Sequence, residues 1–144
     1  MARTITSANA VLILTIPGVF DSGVRIQGFA TDDIFGTDPI ATTEARMGVD
    51  GNLAAGKIFN PVKMKLHIEA NSPSVDVFEA WNAAEEQLRE TISCTGTLEM
   101  PGVGKSFDLT NGYLTSFKSL PDAKKTAQPV EHEITWERVQ PAPI

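Results

Sequence analysis

From Val62 to Ala70 the chain alternates without a break. Val62, Met64, Leu66, Ile68 and Ala70 fall on one face, and Lys63, Lys65, His67 and Glu69 on the other. A period of two is the mark of a strand with one dry face and one wet face. The period then changes. Ser72 suits a helix N-cap, Pro73 the first helical position, and Asp76 and Glu79 complement the positive end of a helix dipole. Val77, Phe78, Trp81, Ala84 and Leu88 recur at helical spacing, with Glu85 the one misfit on the stripe. The spacing predicts a helix over 73–90. A half-buried strand followed directly by one amphipathic helix calls for a layered, β-rich domain.

The rest of the chain reads as strands divided by turns. Val11 to Ile16 is apolar and ends at Pro17-Gly18, a pair suited to a type II turn, so it is expected to form a hairpin with Gly23 to Ala30. Thr91 to Met100 puts Ile92, Cys94, Gly96, Leu98 and Met100 opposite Ser93, Thr95, Thr97 and Glu99, and Pro101-Gly102 turns it. Asn111-Gly112, between Lys105–Thr110 and Tyr113–Leu120, is the strongest short-range hairpin signal present. Val130 to Val139 is read as the last strand, with Val130, His132, Ile134 and Trp136 on one face and a frayed end at Pro141 and Pro143. With no linker and no repeat, residues 1–144 are expected to form one domain. Its fold class is mainly β: an antiparallel sandwich or barrel, one flanking helix and a projecting arm.

That arm is the stretch 31–57. Asp32 to Pro39 reads as a loop because Gly, Pro and Asp interrupt any periodicity. Ile40 to Met47 is read as a strand, and Val49-Asp50-Gly51-Asn52-Leu53 carries the Asp-Gly pair of a tight hairpin. So long a stretch with few large apolar residues forms no core of its own; it packs on another chain or stays mobile. Asp32, Asp33, Ile34, Phe35, Met47, Asp50 and Leu53 are the expected inter-subunit residues.

Chemistry-bearing motifs are scarce. Lys and Arg number 12 against 18 Asp and Glu, a net charge of −6, which disfavours ordinary nucleic-acid binding. A single cysteine, Cys94, excludes an internal disulfide framework and a multi-Cys zinc site. Arg3 with Ala10 to Leu14 faintly resembles a signal peptide, yet the apolar stretch is short and lacks a cleavage site, so a cytosolic, unprocessed start is expected. No run is long enough for a membrane helix.

Gly102-Val103-Gly104-Lys105-Ser106 ends like a phosphate-binding loop, but the first glycine of that pattern falls on Glu99 and a strand follows where a helix is required. A glycine-rich β-turn is the better reading. Glu131-His132-Glu133 cannot converge, because a strand sends His132 away from both glutamates. His67 lies on a polar face and Cys94 on an apolar one. No catalytic residue, cofactor site or metal site is expected.

Charge is unevenly spread. Between Ala30 and Gly56, Asp32, Asp33, Asp38, Glu44 and Asp50 face Arg46 alone, a local −4. The plain reading is a soluble loop. The sharper one is a wall that repels a polyanion, since a duplex slides freely only past surfaces that do not hold its phosphates, and ring symmetry multiplies a few carboxylates into such a wall.

The order of these features resembles a known family. An arm with Met47-Gly48-Val49-Asp50-Gly51, the strand Val62-Lys63-Met64-Lys65-Leu66-His67-Ile68, and a helix opened by Asn71-Ser72-Pro73-Ser74 look like the tail tube proteins of contractile-tailed bacteriophages. The likeness covers roughly residues 10–100 and is sharpest from 46 to 78. It implies a virion protein assembled in the host cytoplasm as stacked hexameric rings. Its partners would be further copies of itself, a tail sheath protein, and baseplate and terminator proteins, with double-stranded DNA passing through during ejection. The tube of type VI secretion systems shares that plan. Glu44 and Asp50 would then be the channel-facing acids. Two alternatives stand beside this reading: another ring-forming tail component, and a monomeric small-molecule-binding β-barrel with Trp81 and Trp136 lining its pocket.

Overall fold

Alternation sorts these side chains as expected, and the sheet rolls to bury them. The computed structural model describes residues 10–29 and 34–143. In chain order the elements are β1 (Val11–Ile16), β2 (Phe20–Ile26), β3 (Phe35–Thr37), β4 (Thr43–Met47), β5 (Leu53–Lys57), β6 (Val62–Ile68), α1 (Ser74–Leu88), β7 (Cys94–Met100), β8 (Lys105–Ser116) and β9 (Val130–Pro143). The described residues are mainly β, with two sheets and one flanking helix.

The larger sheet has seven antiparallel strands in the order β2-β1-β7-β8-β9-β6-β3. It curls until its ends meet: Phe29, just past β2, bridges Ile68 of β6, and the Glu69 N–H donates to the Gly28 carbonyl at 2.8 Å. The enclosed core takes Leu12, Leu14 and Ile16 from β1, Met64, Leu66 and Ile68 from β6, and Val130, Ile134 and Trp136 from β9. The predicted type II turn is present: Val19 N–H donates to the Ile16 carbonyl and Gly18 sits at φ +84°.

Helix α1 runs over Ser74–Leu88, one to two residues inside the expected limits at each end. Ser72 serves the helix start: its Oγ accepts the Ser74 N–H at 3.1 Å and donates to the Gln27 carbonyl at 2.5 Å. The Gln27 N–H donates to Ser74 Oγ at 2.8 Å, so two serines tie the helix to the end of β2. Val77, Phe78 and Trp81 are buried as the periodicity requires. Leu88 is not; it is exposed in the last turn, where Glu85 lies half-buried instead. The stripe runs out because the helix overshoots the core.

Three expectations are overturned. Asn111-Gly112 is no hairpin: β8 is continuous from Lys105 to Ser116, and the pair forms a bulge opposite β7, between the Leu109–Gly96 and Gly112–Cys94 partners. The cause lies across the sheet. A Cβ at Gly112 would sit 2.5 Å from the Trp136 ring, so glycine lets the indole pack on the backbone while Asn111 takes φ +49°. Secondly, β9 does not fray before its prolines but pairs with β8 as far as Lys105–Pro143. That stretch has no other strand beside it among the described residues, which is where proline is tolerated in a sheet. Thirdly, the segment read as a loop contains β3, whose Phe35 pairs with Leu66 and Thr37 with Met64.

Candidate assembly surface

Among the described residues, strands β4 and β5 pair only with each other, from Thr43–Lys57 to Met47–Leu53, and every residue of both is exposed. Their connection is built by its own residues. The Gly51 N–H donates to the Gly48 carbonyl, and Gly51 takes φ +83°. This is a three-residue Val49-Asp50-Gly51 loop with a left-handed glycine after the turn. Asp50 braces it: Oδ1 accepts the Asn52 N–H at 3.1 Å and Oδ2 accepts from Asn52 Nδ2 at 2.9 Å. Those bonds hold the Asp50 carboxyl below its usual pKa.

The register makes the hairpin two-faced. Met47, Leu53, Ala45 and Ala55 share one face with Thr43 and Lys57 at its root, and Glu44, Arg46, Ala54 and Gly56 lie on the other. Val49 stands fully in solvent at the tip, with Met47 and Leu53 about two-thirds exposed beneath it. The hairpin therefore ends in a cluster of exposed apolar side chains.

The predicted assembly residues do not all come together. Met47, Asp50 and Leu53 share the hairpin. Ile34 and Phe35 belong to the body, a correction to the expected arm: the Ile34 carbonyl accepts the His67 N–H at 3.0 Å, and the Phe35 ring meets Phe29 edge-on at 6.3 Å. Asp32 and Asp33 lie outside the described residues. Glu44, expected as a channel-facing acid, stands 3.9 Å from Arg46. Sequence reasoning missed Ile40 and Phe59 at the arm's root, 40% and 82% exposed. They border a groove of about 580 Å³ running between that root and β9. The available signal was Phe59 itself, a large apolar residue outside any alternating run.

Elsewhere the candidate motifs do not assemble into chemistry. Val103 and Gly104 N–H groups both donate to the Met100 carbonyl, so the glycine-rich stretch is a β7–β8 turn. Glu131 points outward, 3.8 Å from His67 and 4.0 Å from Lys65. His132 points inward between the Phe78 and Phe117 rings, at 4.5 and 5.0 Å. Its Nδ1 accepts a long 3.4 Å bond from the Lys118 N–H, and Nε2 has no partner among the described residues. Burial pulls this imidazole from 6.5 down to about 4. Burial, with the Glu85 charge as a smaller influence, pushes the Cys94 thiol up to about 12. Glu85 is itself raised by burial. Trp81 and Trp136 are fully buried, so neither lines a pocket as the carrier alternative required. No three His, Cys, Asp or Glu side chains among the described residues are grouped to hold a metal ion. No helix among those residues is long and apolar enough to cross a membrane.

Against known proteins, residues 3–140 match the model of a family described as "Tail fiber protein gp32". No curated protein matches. Several solved structures share the fold. A chain of the baseplate of the anti-feeding prophage, six-fold symmetrised, aligns with TM-score 0.61 at 8% identity, over 99% of this chain and 98% of that one. A chain of that prophage's tube terminating cap gives 0.58 at 18%, over 100% and 94%. A chain of the PVC sheath-tube complex, an extracellular contractile injection system in its extended state, gives 0.56 at 18%, over 92% and 88%.

Proposed function

We propose that this chain, which belongs to the tail fiber protein gp32 family, is a structural subunit of a contractile tail that assembles with copies of itself into stacked hexameric rings. The observation that carries the reading is the hairpin. Two exposed strands with free outer edges and an apolar tip are held out from a well-packed body. A lone two-stranded hairpin is marginal in water, so the arm gains its contacts from a neighbouring subunit. The shared fold with chains of a sheath-tube complex, a baseplate and a tube cap supports placing such a ring in the shaft of a tail. Sheath, baseplate and terminator proteins are the partners of that position, in a virion.

On this reading the bore is acidic and DNA passes through it. A chain of charge −6 repeated around a ring repels phosphate. Glu44 and Asp50 contribute from the polar side and turn of the arm, although Arg46 offsets part of Glu44. Deletion of residues 48–56 is expected to leave a folded monomer, lighter than the 15.5 kDa full chain by light scattering, that no longer polymerises, while the full chain forms hollow rings or tubes in negative stain. Tubes of normal length from the deletion variant would refute the reading. The family's description favours one other reading, a component of a tail fiber. Slender filaments without a bore would establish it in place of the tube.

A further inference from the structure

The body carries an unfinished strand edge beside an apolar groove. Strand β9 outruns β6: Trp136 is the last residue paired to it, through Val62, while pairing with β8 continues to Pro143. From Glu137 onward one side of β9 therefore meets no strand among the described residues. Pro141 and Pro143 have no N–H to give a neighbour, so the edge can accept another strand only over Glu137 to Gln140. Those four residues also line the groove, whose apolar wall is Ile40, Ile58, Phe59 and Val62.

We propose that this groove and the β9 edge form the socket for the Met47–Leu53 face of the arm from a second copy of the chain. The inference rests on the self-assembly reading above and names the surface it leaves open. Three features select that occupant. The arm has two unpaired outer edges, so it can extend a sheet by backbone hydrogen bonds while its side chains fill a groove. Ala45 and Ala55 lie across from each other on its apolar face, which lets the backbone approach closely. The charges also balance: Glu44 and Asp50 stand against Arg46 and Lys57 over the arm, and Glu137 against Arg138 on the edge. Docking therefore sets no net like charge against itself, in a chain whose −6 otherwise opposes self-association. An arm here and a socket there make a heterologous contact, which closes into a ring or runs on as a helix.

The test is cross-linking in assembled protein. Subunits carrying Leu53→Cys are mixed with subunits carrying Ile40→Cys and treated with a short bis-maleimide; buried Cys94 stays silent. A covalent dimer from the mixture, with none when Ile40→Cys is replaced by Glu86→Cys on α1, supports the socket. Tubes without that dimer, or with equal cross-linking to the helix, overturn the socket and leave the tube reading standing. Complete failure of the unmodified chain to assemble overturns both. Independently, Phe59→Asp should remain folded by circular dichroism and raise the concentration needed for assembly at least about tenfold; assembly at the unaltered concentration overturns the socket.

Discussion

Strand β6 and the β4–β5 arm are neighbours in sequence and opposites in fate. In β6 every second residue is large and apolar, and Met64, Leu66 and Ile68 are at most 2% exposed. In the arm the equivalent positions are mostly Ala45, Ala54, Ala55 and Gly56, and nothing is buried. Burial stabilises by about 25 cal/mol per Å² of apolar surface, so alanine and glycine bring too little to hold a strand against a body. Only Met47, Val49 and Leu53 at the tip carry real apolar area, and it lies too far out to reach the core. The body owes its stability to its own side chains; the arm's apolar tip is the area that the proposed contact with a second copy would cover.

That contrast can be broken or sharpened by substitution. The largest effect belongs to Gly112→Ala, which drives a methyl into the Trp136 ring at the bulge. A loss of about 1–3 kcal/mol is expected, read as a lower urea midpoint; an unchanged midpoint would mean that the indole repacks freely. Next is pH. His132 is neutral in the folded state down to about pH 4, whereas the unfolded chain binds its proton near 6.5. Between those values the unfolded state holds more protons, so stability falls as pH drops from 6.5 towards 4. His132→Phe should flatten that slope, and an equal slope in both proteins would remove the histidine as its cause. The smallest effect is in the arm: Met47→Ser with Leu53→Ser should shift subunit stability by no more than about 0.5 kcal/mol. A larger shift in the urea midpoint would show that the arm packs on its own body.

Much of the body was legible. The inward face of β6, the stripe Val77-Phe78-Trp81 and the inward run from Val130 to Trp136 all follow from period alone, because each depends on a residue's nearest neighbours in its own element. The arm hairpin was legible from Asp50-Gly51, and its lack of a core from the shortage of large apolar side chains. What failed was non-local. Asn111-Gly112 has the local form of a hairpin turn, yet the indole of Trp136 across the sheet makes it a bulge. Phe35 sits among turn-forming residues, yet Leu66 offers it a strand partner.

The amino-acid order by itself determined which residues face inward along β6 and from Val130 to Trp136, where the helix lies, and that the 31–57 stretch, which holds the 43–57 arm, is poor in large apolar side chains. Those properties repeat with the period of the backbone and need no distant partner. The tertiary structure decided where the sheet bulges, that β9 ends with an open edge, and that this edge meets Phe59 and Ile40 in one groove. Each depends on side chains brought together from far apart in the chain, and the packing of the rolled sheet selects among turns that local sequence leaves equally acceptable.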